Sequence, residues 1–283
     1  MGGLASSLFI LQYGAERVPK ALSLRGGPSD LGWEPLPGVL VETSEGWVLF
    51  DSGMRRANHD SPAVDDVYRL PGGDSPPAGQ APPPTFLATP DPGRWTWGRG
   101  EDPLATALAE IGLAVGDLRL AVVSHLHWDH AGGIGTLARA GVPVAAHRDE
   151  AAFARSAAPR VEEGFDRADW EPLGDRWTEL DGDTEVAPGV VVLATPGHTP
   201  GHVSLRVDLP GTGTWLFPAD AAELAQNFID VRPCGSTTGS RPGQAEESLH
   251  RLAALAGETR ARIVCGHDPV VTHAACHPPG GHR

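Results

Sequence analysis

The sequence predicts an α/β protein in which two β-sheets are packed between outer helices, a four-layer αββα sandwich. Short apolar segments with strand spacing occur in both halves of the chain, and helical segments lie between and after them. Each half can therefore form a sheet that helices cover on its outer face. The chain has no internal repeat of the kind that builds solenoids. We predict a single domain over residues 1–283.

The elements follow from apolar periodicity and turn residues. Asp102 and Pro103 are typical of a helix start, and Gly112 is typical of a helix end. Further helices are predicted at 135–140, 149–156 and 244–255. Strands are predicted at 8–11, 39–43, 47–51, 118–124, 142–146, 190–194, 203–207, 214–217 and 262–265.

Two regions break this pattern. Residues from about 71 to 100 are dense in Pro and Gly, which predicts an irregular surface excursion. It carries Trp95 and Trp97. Two tryptophans in a loop usually pack onto the body, and the alternative is a lid over a substrate pocket; we expect the excursion to shape substrate access. The tail from about residue 273 is predicted to be disordered.

The composition restricts the class of partner. With 36 acidic and 22 Lys or Arg residues the net charge is −14, which disfavours nucleic acids and anionic membranes. No apolar run is long enough for a membrane span. Three cysteines without a CxxC pair, and no recognisable signal segment, favour a reducing, cytoplasmic compartment. We expect a small-molecule substrate and allow for a homodimer.

A dense group of metal-binding side chains begins at His125. His125, His127 and Asp129 alternate along the chain, so an extended backbone would place them on one face. His130 follows, just before the turn at Gly132-Gly133. Such a group cannot be buried cheaply without a ligand, and its nitrogen and oxygen atoms suit divalent first-row metals.

Three further candidates lie at the ends of predicted strands, where open α/β sheets place their sites: His198, Asp220 and His267. We predict two divalent metal ions, with Zn²⁺ favoured over iron, cobalt or manganese. One site would use His125, His127 and His198, and the other Asp129, His130 and His267. Asp220 would bridge them, and a shared hydroxide would attack a carbonyl. The predicted catalytic residues are Asp129, as a proton relay, and Asp220.

The segment His125-Leu126-His127-Trp128-Asp129-His130 resembles the HxHxDH signature of the metallo-β-lactamase superfamily. The stretches 41–54, 124–133, 195–205 and 265–268, together with Asp220 and Asn227-Phe228, resemble the N-acyl-homoserine-lactone lactonases. The resemblance implies the metallo-β-lactamase fold and a dinuclear zinc-type hydrolase that opens a lactone ring. It also implies that Asp51 orients a ligand imidazole.

One position departs from this resemblance. Lactonases of this group usually carry a tyrosine three residues after the bridging aspartate, where it stabilises the developing oxyanion, and this chain has Glu223 there. An ionised carboxylate cannot donate a hydrogen bond. The alternative function is therefore a thioesterase or cyclase acting on an acyl or polyketide thioester. His202 is predicted to be structural, and His59, His147 and His250 to be solvated.

Overall fold

The computed structural model describes residues 3–68, 94–276 and 280–283. In these ranges two β-sheets stack face to face, with helices on both outer sides, which confirms the predicted αββα sandwich. The strands are β1 (Ser7–Pro19), β2 (Leu31–Thr43), β3 (Gly46–Phe50), β4 (Thr96–Gly98), β5 (Leu118–Val122), β6 (Val144–His147), β7 (Trp177–Leu180), β8 (Thr184–Ala187), β9 (Val190–Ala194), β10 (Val203–Leu209), β11 (Gly213–Phe217) and β12 (Arg262–Ile263). The α-helices are α1 (Lys20–Ser23), α2 (Arg56–His59), α3 (Pro62–Tyr68), α4 (Pro103–Glu110), α5 (Trp128–Ala131), α6 (Ile134–Arg139), α7 (Arg148–Arg155), α8 (Arg167–Trp170), α9 (Ala225–Asp230), α10 (Gln244–Thr259) and α11 (Pro269–Ala275).

The first sheet has the order β4-β1-β2-β3-β5-β6-β7 in the described chain. Its β4, β1, β2 and β3 are antiparallel neighbours, whereas β3, β5, β6 and β7 run parallel. The hairpin of β1 and β2 is longer than predicted, with 13 residues in each strand. Only Val39–Thr43 of β2 pairs with β3, in a register that sets Val39 opposite Phe50. The remainder of the hairpin therefore extends past the carboxyl end of β3.

The second sheet has the order β12-β11-β10-β9-β8 among the described residues. Its β12 and β11 are parallel, and the other neighbours are antiparallel. Since β9 and β11 both run antiparallel to β10, the carboxyl ends of β9, β11 and β12 meet at one edge. The loops that follow these three strands can therefore contribute to a single site.

Alternating side chains build the layers. Val48 and Phe50 of β3 point into the core between the sheets, while Leu49 packs outwards beneath the helices. In β11, Trp215 and Phe217 likewise face the other sheet, and Leu216 contacts the outer cluster that includes residues of α10. Each strand thus joins two apolar layers, as the sandwich requires.

The described part of the Trp-bearing region packs onto the body of the protein. Residues 71–93 of the expected excursion lie outside the described ranges. Trp95 is 4% exposed and packs with Met54, Tyr68 and Trp128. Trp97 lies in β4, opposite Ala15 of β1, because β4 extends the sheet at this edge. Trp95 therefore packs onto the body, as two tryptophans in a loop usually do, and does not form the alternative lid.

The tail and two histidines also differ from prediction. Residue 273, where disorder was expected to begin, lies inside α11, which Asp268 caps by accepting from the backbone N–H groups of Val270 and Val271. His282 forms a bridge with Leu8 and lies against the ring of Trp215, so the described end of the tail is docked. His59 and His147 are buried rather than solvated, at 2% and 8% exposure. None of the described helices is long and apolar enough to cross a membrane.

Candidate metal centre

The segment after β5 carries four of the predicted ligands. It was expected to be extended, but β5 ends at Val122 and α5 begins at Trp128. His127 therefore stands at the helix start, and Asp129 and His130 lie in the first turn. His125, Asp129 and His130 are buried and His127 is half-buried.

The remaining candidates come from the second sheet. His198 follows β9, Asp220 lies in a 3₁₀ turn after β11, and His267 follows β12. The turn is tight, with Ala219 in the left-handed region at a φ of 47°. Since the carboxyl ends of these strands share one edge, the three side chains converge with the segment after β5.

The convergence produces two groups of possible ligand atoms. The first contains His125, His127, His198 and Asp220, and the second Asp129, His130 and His267. In the first group the Nδ1 atom of His127 lies 2.9 Å from Nε2 of His125 and 2.8 Å from Nε2 of His198. In the second the Nε2 atoms of His130 and His267 are 3.2 Å apart.

Asp220 lies between the two groups. Its Oδ1 is 3.1 Å from Nε2 of His130 and 3.2 Å from Nε2 of His267. Its Oδ2 is 3.4 Å from Nε2 of His198 and 3.8 Å from Nε2 of His125. The two oxygens of one carboxylate thus face different groups, which is the arrangement that a bridging ligand needs.

Three of the outer ring nitrogens are held by fixed acceptors. Nδ1 of His130 donates to Oδ2 of Asp51 at 2.9 Å, while Oδ1 of Asp51 accepts from the backbone N–H of Ser124. Nδ1 of His198 donates to the carbonyl of Ser236 at 3.0 Å, and Nδ1 of His267 to that of Pro35 at 2.9 Å. These bonds fix the tautomers, so that each Nε2 presents a lone pair inwards.

The electrostatics of the first group suit metal binding. Burial lowers the pKa of His125, His127 and His198, to about 3 for His127. These imidazoles are therefore neutral near neutral pH, which is the form that binds a metal. Nε2 of His127 is buried without a hydrogen-bond partner among the described residues.

The carboxylates around the second group favour a positive charge at its ring nitrogens. Burial opposes protonation of His130 and His267, yet the carboxylates of Asp129 and Asp220 raise the pKa of both well above the usual value. If both rings were protonated, their Nε2 atoms, 3.2 Å apart, would carry like charges and repel each other. A divalent cation between them satisfies the carboxylates without that repulsion. The donor set and its charge therefore fit divalent metal ions.

Two buried side chains support this centre from behind. His202, predicted to be structural, accepts from the backbone N–H of Asp220 at 3.1 Å through Nε2 and donates to the carbonyl of Thr195 through Nδ1. Glu150 accepts from the N–H of Leu126 at 3.0 Å and from Thr199 and Gly201 at 2.9 Å. Glu150 therefore ties the segment after β5 to the loop of His198, a role that no sequence signal indicated.

A cavity of about 510 Å³ opens beside the metal centre. Asp129, Asp220, His127 and His198 form one side of it. Glu16 and Glu223 line it as well, and Glu34 lies next to them at the metal edge. We call Glu16, Glu34 and Glu223 the acidic wall.

The acidic wall is buried. Burial, with the charge of Asp129, raises the pKa of Glu16 to about 8, and burial raises that of Glu34 to about 7. Burial and the charge of Asp220 raise the pKa of Glu223 well above the usual value. Glu223 lines the cavity.

Comparison with known proteins identifies the family of this arrangement. Residues 71–267 match the family model of the metallo-beta-lactamase superfamily. The chain is 32% identical over 234 residues to the N-acyl homoserine lactonase AiiA of Bacillus thuringiensis subsp. kurstaki, covering 83% of this chain and 81% of that protein. It is 30% identical over 184 residues to the N-acyl homoserine lactonase AttM of Azorhizobium caulinodans, covering 62% of this chain and 67% of that protein.

The solved structures agree. A structure of an N-acyl homoserine lactone hydrolase with the product N-hexanoyl-L-homoserine at its catalytic metal centre has a TM-score of 0.75 and 26% identity, covering 94% of each chain. The dizinc quorum-quenching lactonase AidC shares the fold, with a TM-score of 0.62 over 93% of this chain and 87% of that one. The chain belongs to the metallo-β-lactamase superfamily and, within it, to the family of the N-acyl homoserine lactonases, and it is a metal-dependent hydrolase.

Proposed function

We propose that this chain opens the ring of N-acyl-homoserine-lactone-like substrates with the help of two divalent metal ions. His125, His127 and His198 would hold one ion, and Asp129, His130 and His267 the other. Asp220 would bridge both. The observation that carries the proposal is the position of Asp220, whose two oxygens each face a different group of imidazole nitrogens.

The proposed reaction would use the metal ions together with residues of the chain that line the cavity or orient the ligands. Two divalent ions, with Zn²⁺ favoured by the donor set, would polarise the lactone carbonyl and lower the pKa of a water to provide a nucleophile near neutral pH. Asp129 lines the cavity, so its carboxylate can carry a proton to the leaving alkoxide. Asp51, Ser236 and Pro35 keep the imidazoles oriented, which lowers the cost of reorganisation.

The negative charge of the cavity lining favours a lactone substrate over a thioester substrate. Thioester carriers of the coenzyme type bring phosphate groups, which would meet Glu162 and Glu163 where they line the cavity. No Lys or Arg of the described chain lines this cavity. A lactone with a neutral acyl chain avoids that repulsion.

The test combines metal analysis with a substrate panel. Protein purified without chelator and supplied with Zn²⁺ should contain about two equivalents of metal. It should hydrolyse N-acyl homoserine lactones of several chain lengths faster than acyl thioesters with the same chains. Chelation should abolish turnover, and added Zn²⁺ should restore it.

His250→Ala provides the matched control, because His250 is exposed and lies outside the metal centre. It should retain both the metal and the activity. Full activity with a single equivalent of metal would contradict the dinuclear centre, and turnover of thioesters alone would overturn the assignment of a lactone.

A further inference from the structure

We propose that the acidic wall is a subsite for an alkylammonium group, so that the preferred lactones carry a protonated amine on their acyl chain. The inference rests on the proposed lactonase function and deepens it by naming a substrate class. Glu223 and Glu16, which line the cavity, would accept hydrogen bonds from the ammonium, with Glu34 lying next to them.

The strand register forces two of these carboxylates together. Glu16 of β1 and Glu34 of β2 are direct antiparallel partners. Like charges in that relationship destabilise a sheet, and both side chains are buried, at 7% and 5% exposure. A buried pair of acids is stable only when protons or a cation compensate for it.

The hydrogen bonds of the acidic wall do not balance. The single hydroxyl hydrogen of Ser23 faces both carboxylate oxygens of Glu34, each at 2.9 Å. Tyr68 donates to Glu16 and itself accepts from Nε1 of Trp128 at 2.8 Å. Oε1 of Glu223, whose side chain is 6% exposed, has no partner among the described residues. With its carboxyl groups ionised, the acidic wall therefore has more buried acceptors than donors, and either protons or a cationic donor from outside must supply the difference.

The described lining of the cavity contains no Lys or Arg that could donate hydrogen bonds to the acidic wall. Its other lining residues include Val18, Leu22 and Val67 together with the ring of Trp128. These can pack against a methylene chain, and the acidic wall can accept its charged end, as an alkylammonium requires.

An organic cation fits this site better than a third metal ion. The clusters that could hold such an ion are Glu16–Glu34–His267 and His198–Glu223–Cys234. Each borrows a histidine from the proposed dinuclear centre, so an extra ion would compete with it. An ammonium needs only hydrogen-bond acceptors, and a volume of about 510 Å³ accommodates an acyl chain as well.

The experiment compares paired lactones. In each pair, one homoserine lactone carries an ω-aminoacyl chain, and the other carries the chain in which a methyl group replaces the ammonium, such as aminohexanoyl against heptanoyl. With the Zn²⁺-loaded protein we expect kcat/KM to favour the best ammonium substrate by about tenfold or more. Glu223→Gln should reduce this ratio to near one with the metal content retained, and the readout is the ratio within each pair rather than the absolute rate.

Glu162→Gln is the matched control, because Glu162 is an exposed carboxylate near the cavity and is not part of the acidic wall. It should keep the ratio, which separates a specific subsite from the general negative field. Equal turnover of every pair, a preference for the methyl substrates, or a preference that survives Glu223→Gln would overturn the subsite.

A binding measurement keeps the subsite testable if no lactone is hydrolysed, an outcome that counts against the proposed function alone. Calorimetry should show hexylammonium binding about tenfold or more tightly than hexanol. Glu223→Gln should remove the difference. An amine that merely binds Zn²⁺ through its nitrogen would bind the variant equally well, and that result would also overturn the subsite.

Discussion

The two sides of the cavity satisfy their hydrogen-bonding groups in opposite ways. On the side of the metal centre, His130, His198 and His267 each have a fixed acceptor behind the ring, and Asp51 is itself held by a backbone N–H group. On the acidic wall, three buried carboxyl groups share few donors, and one oxygen of Glu223 has none among the described residues.

This difference separates two tasks. A side on which most of the outer ring nitrogens are fixed is preorganised, and it holds the reacting geometry before a substrate arrives. A side that lacks donors gains most when a ligand supplies them, since unpaired buried acceptors are costly. We therefore expect changes near the metal centre to affect turnover, and changes at the acidic wall to affect the choice of substrate.

The largest expected effect comes from Asp220. Asp220→Ala removes the carboxylate that faces both groups of nitrogens, so metal content should fall and kcat should drop by roughly 10³-fold or more. His202→Ala removes the acceptor for the backbone N–H of Asp220 and the donor to the carbonyl of Thr195, but no proposed metal ligand. Its kcat should drop by about 10–100-fold, with most of the metal retained. Steady-state kinetics and elemental analysis check both.

An Asp220→Ala protein with unchanged metal content and kcat would contradict the bridging role. Equal losses in the two variants would mean that the position of the Asp220 backbone matters as much as its carboxylate. That outcome would weaken the contrast between the two sides.

An intermediate effect is expected from Glu150. Its carboxylate accepts three hydrogen bonds from two loops of the metal centre, and Glu150→Gln replaces one accepting oxygen with a donor. We expect the free energy of unfolding to fall by about 1–3 kcal/mol. Turnover should fall about tenfold, as is usual for residues that orient ligands. Denaturant titration and kinetics measure these changes.

Glu171→Gln, at an exposed position, serves as the control and should change neither quantity. A Glu150→Gln protein with lower stability but full activity per bound metal would make Glu150 a purely structural residue. It would then have no part in positioning the loops.

The sequence revealed the metal side because its residues are close together in the chain or follow apolar strands. His125 to His130 lie within six positions, and His198, Asp220 and His267 each follow a segment of strand spacing. The acidic wall has no such signal. Glu16 and Glu34 become neighbours only through the register of the hairpin, and Glu150 is one of two adjacent acids in the first turn of a short helix.

The fold, like the metal side, could be predicted from the sequence only where a local pattern marks it. The apolar inner halves of β1 and β2 were found, but their outer halves contain Gly14, Glu16 and Arg17 in one strand and Pro35 and Pro37 in the other. These residues interrupt the alternation that marks a strand. They continue as strands because the hairpin partner satisfies the backbone, a long-range pairing that local patterns do not contain.

The smallest expected effect on turnover comes from Trp95, which lies behind the acidic wall. Trp95 is buried against Tyr68 and Trp128, and neither Trp95 nor Trp97 lines the cavity. Trp95→Ala should lower the free energy of unfolding by about 3–5 kcal/mol, because it leaves a void in a packed cluster. Trp97→Ala, at a half-buried position in β4, should cost less. Both variants should keep the metal content and kcat of the parent. Elemental analysis, thermal unfolding and kinetics measure these quantities.

If either variant instead shifts KM or chain-length preference with its stability intact, the tryptophans control access to the cavity. The acidic wall would then share the choice of substrate with this region.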